Sequence, residues 1–365
     1  MLNLHDNLFD STPKNLFSGM NSLQEVYLDH NPFPSWEIPE TVKEATSLKN
    51  LSLINCNVTG SIPDYFSSET LPSLVSLKLS QNQLHGGLPE SLGRSSLQQL
   101  YLSGQNLDGS ISVLQNMTSL VEFDLQGNAF SGSIPDLSGL QSLGANRSPP
   151  TVLYRNYFQG PMPLFENSVA VDAIANTNSF CLDTPGAPCD PRVEALVSIA
   201  ESFGYPVNLA KSWTGNDPCD GSWLGISCSG SNVTVVILAR QELNGTISPS
   251  FAKLISLETI FLPNNNLTGS IPAELTTLPK LRTLNVANNS INGVVPKFDG
   301  SVNVVTTGNA NTGKDGPVSR LINIDTDPGE NNSYLRHLLR SVCFRGKQNT
   351  GNVCNVYSFL QNLLT

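Results

Sequence analysis

A phrase of apolar residues that returns every 23 to 26 positions constrains this chain more than any other feature. Leu23-x-x-Val26-x-Leu28-x-x-Asn31-x-Phe33 sets it out. It recurs as Leu48, Leu51, Leu53, Cys56, Val58, Gly60, Ile62, Pro63, and as Leu74, Leu77, Leu79, Asn82, Leu84, Gly86, Leu88, Pro89. Two further copies run from Leu97 through Gln105 to Ile111 and from Leu120 through Asn128 to Pro135. One such segment is an ordinary amphipathic stretch. Several in phase are a coil that cannot bury its apolar face alone and must stack on its neighbours.

The spacing falls in the leucine-rich-repeat range of roughly 20–29 residues. The expected fold is α/β: a right-handed superhelical solenoid with a parallel sheet of short strands on its concave face. The Asn position of each coil should satisfy backbone groups where the chain leaves the strand, because burying them unpaired is costly. The far side should be loop-like. Composition agrees, since only 14% of residues are charged against roughly 25% in ordinary domains. A net charge of -10 argues against a phosphate backbone as ligand.

A second block repeats the phrase at a regular spacing of 24, with its turn positions at Gln241, Asn265 and Asn289. Between the blocks Cys181, Cys189, Cys219 and Cys228 punctuate a non-repeat insert. Asp190-Pro191 opens a helical pattern there, and Gly204 with Pro206 ends it. A solenoid end needs a cap, so the insert reads as cap and joint.

Leu-x-Gly-x-Ile-Pro in the coils, with Asp217-Pro-Cys219 and Trp223-x-Gly225-Ile226-x-Cys228, resembles plant extracellular leucine-rich-repeat proteins. Two blocks split by a Cys-containing insert resemble one subfamily, the transmembrane-kinase group of plant receptor-like kinases. Cys189-Asp-Pro-Arg-Val, Glu201-Ser-Phe-Gly-Tyr-Pro and Gly308-Asn-Ala-Asn-x-Gly-Lys-Asp-Gly-Pro317 sharpen the likeness. The resemblance implies an extracellular sensing or co-receptor region in auxin-related growth signalling, at the outer face of the plasma membrane. Its partner would be a protein or peptide ligand, such as a co-receptor ectodomain or an apoplastic hormone-binding protein. The rival reading is a secreted inhibitor of a wall-degrading enzyme, which uses similar repeats as a binding face.

The expected organisation is a first block over 1–164, an insert over 165–231, a second block with its linker over 232–317, and an unmatched, disordered tail over 318–365. Met1 falls inside a repeat, so neither a signal peptide nor a first cap is read. From Asn128 to Asn156 is 28 residues, which suggests that most of one coil is lost near 140–160. No apolar run reaches the ~20 residues of a membrane helix. No kinase motif is present, and the chain reads as a truncated ectodomain without catalytic function.

No cofactor is expected. Gly308-x4-Gly313-Lys314-Asp315 lacks the Ser or Thr of a phosphate loop, and Pro317 blocks the helix that should follow. It reads as a Gly-rich linker. His5, His30, His85 and His337 show no metal spacing. Cys181 with Cys189 and Cys219 with Cys228 should pair as two disulfides. A zinc site is the rival, although no pair has the short gap such sites use. Cys56 should be a buried free thiol. Sequons at Asn57, Asn116, Asn232, Asn244, Asn266 and Asn288 are the candidate glycosylation sites, with Asn50, Asn146 and Asn331 as further matches.

Residues between the inward Leu positions should face solvent on the concave sheet. In block one that face is polar and acidic, with Tyr27 and Tyr101 as anchors. In block two it carries Ile237, Phe261 and Pro263, and an exposed apolar patch of this kind marks contact with something. These five residues are the candidate partner-binding positions.

Overall fold

The computed structural model describes residues 1–11, 15–144, 152–164, 178–221 and 223–313. Each apolar phrase forms a three-residue strand with its middle side chain turned inward. Glu25–Tyr27, Asn50–Ser52, Ser76–Lys78, Gln99–Tyr101 and Glu122–Asp124 pair in parallel, with Leu2–Asn3 beside the first. Val26, Leu51, Leu77, Leu100 and Phe123 stand in register and are essentially fully buried. Only stacked coils bury them all.

The turn position closes each coil as expected. Asn82 Oδ1 accepts from the amides of Cys56 and Val58, both at 2.9 Å, while Nδ2 donates to the carbonyls of Leu53 at 2.7 Å and Leu79 at 2.8 Å. One buried amide thus ties three chain segments together. Each such hydrogen bond replaces one that water would otherwise make.

The opposite flank is not loop-like. The Leu-x-Gly residues after each turn form a second parallel sheet, running from Thr59–Gly60 through Gln83–Gly86, Asn106–Gly109, Ala129–Gly132 and Tyr157–Gly160 to Ser179–Phe180. The regular spacing of Gly has its cause here, since each strand before Ser179–Phe180 ends on a glycine with φ near +80°. Beyond it, short 3-10 turns such as Glu90–Arg94 and Ser112–Asn116 line the convex side.

Residues 145–151, where most of one coil is expected to be lost, lie outside the described residues, and Asn156 takes the turn position directly after Asn128. Asn156 donates to Leu125 O at 3.0 Å and Leu153 O at 3.1 Å and accepts from Phe130 N at 3.1 Å, the same pattern as Asn82. Asn178 continues it by accepting from Phe158 N at 3.2 Å. The ladder of strand and turn positions continues across this interval, with Val152 bridging Asp124 in parallel. The block-one sheet therefore runs on to Phe180.

The second block is a sheet ordered Ile226–Ser229, Asn232–Ile237, Thr259–Phe261, Thr283–Asn285 and Asn303–Val305. The first pair is an antiparallel hairpin and the rest are parallel. Of the residues read as a Gly-rich linker, those up to 313 belong to a further coil. Asn309 accepts from Ile291 N at 2.9 Å and donates to Val286 O at 2.9 Å. The chain beyond 313, including the expected tail, Cys343, Cys354 and His337, lies outside the described residues.

The insert caps the second block. Helix α1 (Pro191–Ser202) starts on Asp190, whose carboxylate accepts from Arg192 N at 2.8 Å. The Arg192 guanidinium reaches Asp190 at 2.8 Å and Asp217 at 3.3 Å, and also the Ser231 carbonyl. Helix α2 (Val207–Ser212) follows. Trp213 and Trp223 stack with centroids 5.8 Å apart and donate to Leu224 O and Thr214 O, both at 3.0 Å. Disulfides join Cys181 to Cys189 and Cys219 to Cys228, and Cys56 is a buried free thiol. Burial pushes that thiol up to about 11.

Candidate functional site

The concave sheet of block one is organised as rows across the strands. Tyr27, Ser52, Lys78, Tyr101 and Asp124 form one row, and Glu25, Asn50, Ser76, Gln99 and Glu122 the next. Tyr27 and Tyr101 are half-buried on the same row, three strand spacings or roughly 14 Å apart. Glu122 is only 7% exposed and takes hydrogen bonds from Gln99 Nε2 at 2.5 Å and Tyr101 Oη at 2.7 Å. Lys78 Nζ sits 5.0 Å from the Tyr101 ring centre. Burial, and then the Glu122 carboxylate, raise the Tyr101 phenol well above its ordinary range, so it remains a neutral donor. Asp29 accepts from Ser52 Oγ and Ile54 N, each at 2.7 Å. This face is polar and already fixed by its own side chains.

Block two presents a different chemistry. Its rows read Val235, Thr259, Thr283, Asn303 and Ile237, Phe261, Asn285, Val305, with no charged side chain. Ile237 is 48% exposed. The cause is local, because its neighbour on the hairpin side is Gly225, whose carbonyl accepts from Ile237 N at 2.8 Å and which offers no side chain to cover it. Phe261 lies beside it, half-buried. Pro263 does not join them. The strand ends at Phe261, the chain turns through Asn264 with φ +58°, and Pro263 is buried there, as is Ala287 one coil on.

The sequon residues Asn57, Asn116, Asn232, Asn244, Asn266 and Asn288 all sit at exposed positions. Asn50 differs: it lies in a concave strand, donates to Tyr27 Oη at 3.4 Å, and its Ser52 is bound to Asp29. Asn146 and Asn331 lie outside the described residues. On the convex side a shallow groove of about 550 Å³ is lined by Glu90, Arg94, Ser112 and Asn116 among others. Among the described residues no group of three or more His, Cys, Asp or Glu is placed to hold a metal. None of their helices is long and apolar enough to cross a membrane.

Known families match the same segments. The Leucine rich repeat N-terminal domain matches residues 189–229, the cap. Leucine rich repeat families match 231–291 in block two and 47–68 and 73–95 in block one. The receptor-like kinase TMK2 of Arabidopsis thaliana is 48% identical, in an alignment covering 69% of this chain and 31% of TMK2. The chain is a leucine-rich-repeat ectodomain of the TMK type. TMK4 of the same plant is 39% identical over 67% of this chain and 20% of its own length, so this TMK-type ectodomain spans a third or less of these relatives. Among solved structures, the Arabidopsis receptor kinase HAESA in complex with the peptide hormone IDA and the co-receptor SERK1 is similar at 23% identity. That match covers 84% of this chain and 49% of HAESA, with a TM-score of 0.40.

Proposed function

We propose that this ectodomain senses a protein or peptide outside the cell and binds it on its concave sheets. The observation that carries this reading is Ile237, an apolar side chain 48% exposed beside Phe261 on a sheet face without charge. Isolated exposed apolar residues are common, whereas an adjoining pair on one sheet would offer a partner a preformed apolar contact. Asp29, Tyr101 and Glu122 in block one supply directional polar contacts held ready by neighbours, which lowers the ordering cost of binding. Tyr27 and Tyr101 supply aromatic area of the kind enriched at contact hot spots. N-glycans on Asn57, Asn116, Asn232, Asn244, Asn266 and Asn288 would fit a chain working at the outer face of the plasma membrane, with Asn50 closed by the fold.

Affinity capture from apoplastic fluid tests the proposal, with this chain and its Ile237→Asp/Phe261→Asp variant as parallel baits. A protein or peptide enriched on the first bait and lost on the second supports concave-face recognition. Equal enrichment on both contradicts it.

A further inference from the structure

The interior consists of two apolar cores, and the first ends at Phe180 where the second begins at Cys181. The chain crosses between them once. What lies between the cores is polar. In the second sheet of block one, the residue before each closing glycine faces outward, and in the middle coils it is His85, exposed, and Asp108, half-buried. The next two coils place Ser131 and Gln159 at that position of the repeat, where α1 and α2 of the insert cover them until they are 0% and 1% exposed. A surface built for water is buried there.

Its polar groups are only partly satisfied. Ser131 Oγ donates to the Tyr205 carbonyl at 2.6 Å, and Gln159 Nε2 reaches Trp213 O at a long 3.4 Å. Gln159 Oε1 is buried with no hydrogen-bond partner among the described residues. Tyr205 itself holds φ +55°, costly for an aromatic residue, with its ring against Gly132. A buried unpaired group and a strained residue both weigh against closure, while the covered area favours it. The other side of the insert is sealed differently. Ser202 O accepts from Thr246 N at 2.9 Å, and Leu243, Ile247 and Phe251 of the second block share one apolar core with α1.

We propose that the seam between block one and the insert is a hinge: the described residues up to Phe180 move as one body, the described residues of the insert move with block two as another, and they part at Ser131, Gln159 and Tyr205. Polar boundaries within a chain open more easily than cores, and local openings span free energies from near zero to that of global unfolding. The hinge stands whether or not the concave faces bind a partner. Its movement would change how the polar and apolar faces are presented together.

Thiol labelling of the whole chain tests it, because Cys56 is a free buried thiol inside the core of block one and serves as an internal reference. In Ser131→Cys, a maleimide should label residue 131 roughly 100-fold or more faster than Cys56, read peptide by peptide by mass spectrometry. Gln159→Cys provides a second probe should the first variant fail to fold. Equal labelling rates at the seam and at Cys56 would mean that the molecule opens only as a whole, and would overturn the hinge.

Discussion

The ring of Tyr205 lies against the backbone of Gly132, so closely that a Cβ on Gly132 would come within 2.6 Å of it. Gly132 also holds φ +81°, a conformation other residues adopt at a cost. Contact and conformation together exclude a side chain. Gly132→Ala should therefore destabilise the joint by about 2–3 kcal/mol. Urea unfolding checks this, and Gly139→Ala, where no atom lies within 4 Å of the added Cβ, should be nearly neutral.

Asn128 is the interior counterpart of that contact. It accepts from Leu107 N at 3.1 Å and donates to Leu102 O at 2.8 Å and Leu125 O at 3.1 Å. Asn128→Ala leaves one amide and two carbonyls of adjoining coils short of these bonds, at a cost of about 3 kcal/mol or more. Chemical denaturation should show the loss, with Asn106→Ala, exposed in the preceding coil, changing little.

Cys56 combines full burial with a thiol pushed up to about 11, so almost no thiolate exists at pH 8. Iodoacetamide should leave it unmodified in the folded chain and alkylate it once denaturant is added. Cys181, Cys189, Cys219 and Cys228 should react only after reduction.

Asp190 carries a pH dependence of definite sign. Its hydrogen bonds from Arg192 hold the carboxyl below the usual carboxylate range. A group depressed on folding contributes stability above its unfolded value near ~4 and loses it as pH falls through the lower folded value. Both partners are a quarter exposed, so solvent screening limits the effect to about 1 kcal/mol. Asp190→Asn should be less stable than the parent at pH 6, and the difference should shrink in thermal melts as pH falls through the lowered folded value.

Much of this architecture was legible because a repeat amplifies weak signals. The inward Leu positions, the Asn turns, the Asp190 helix start and both disulfide pairs follow from spacing and residue type. The second sheet was less visible, since Leu-x-Gly looks the same in a loop and in a two- to four-residue strand. The coil closed by Asn156 was obscured because its 28-residue distance from Asn128 departs from the repeat. Pro263 shows the limit at the recognition surface. Alternation places it outward, but alternation ends with the strand, and the turn after Phe261 buries it. The hinge was beyond reach, because nothing local in Ser131 or Gln159 reveals that a distant helix covers them.

A deuterium-exchange footprint of the captured complex tests most directly whether the concave sheets form the recognition surface. Bound partner should slow exchange in Asn232–Ile237, Thr259–Phe261 and Thr283–Asn285 while leaving the convex turns Pro249–Lys253 and Ala273–Thr277 unchanged. Protection confined to those convex turns, with the strands exchanging as in the free chain, would contradict the account.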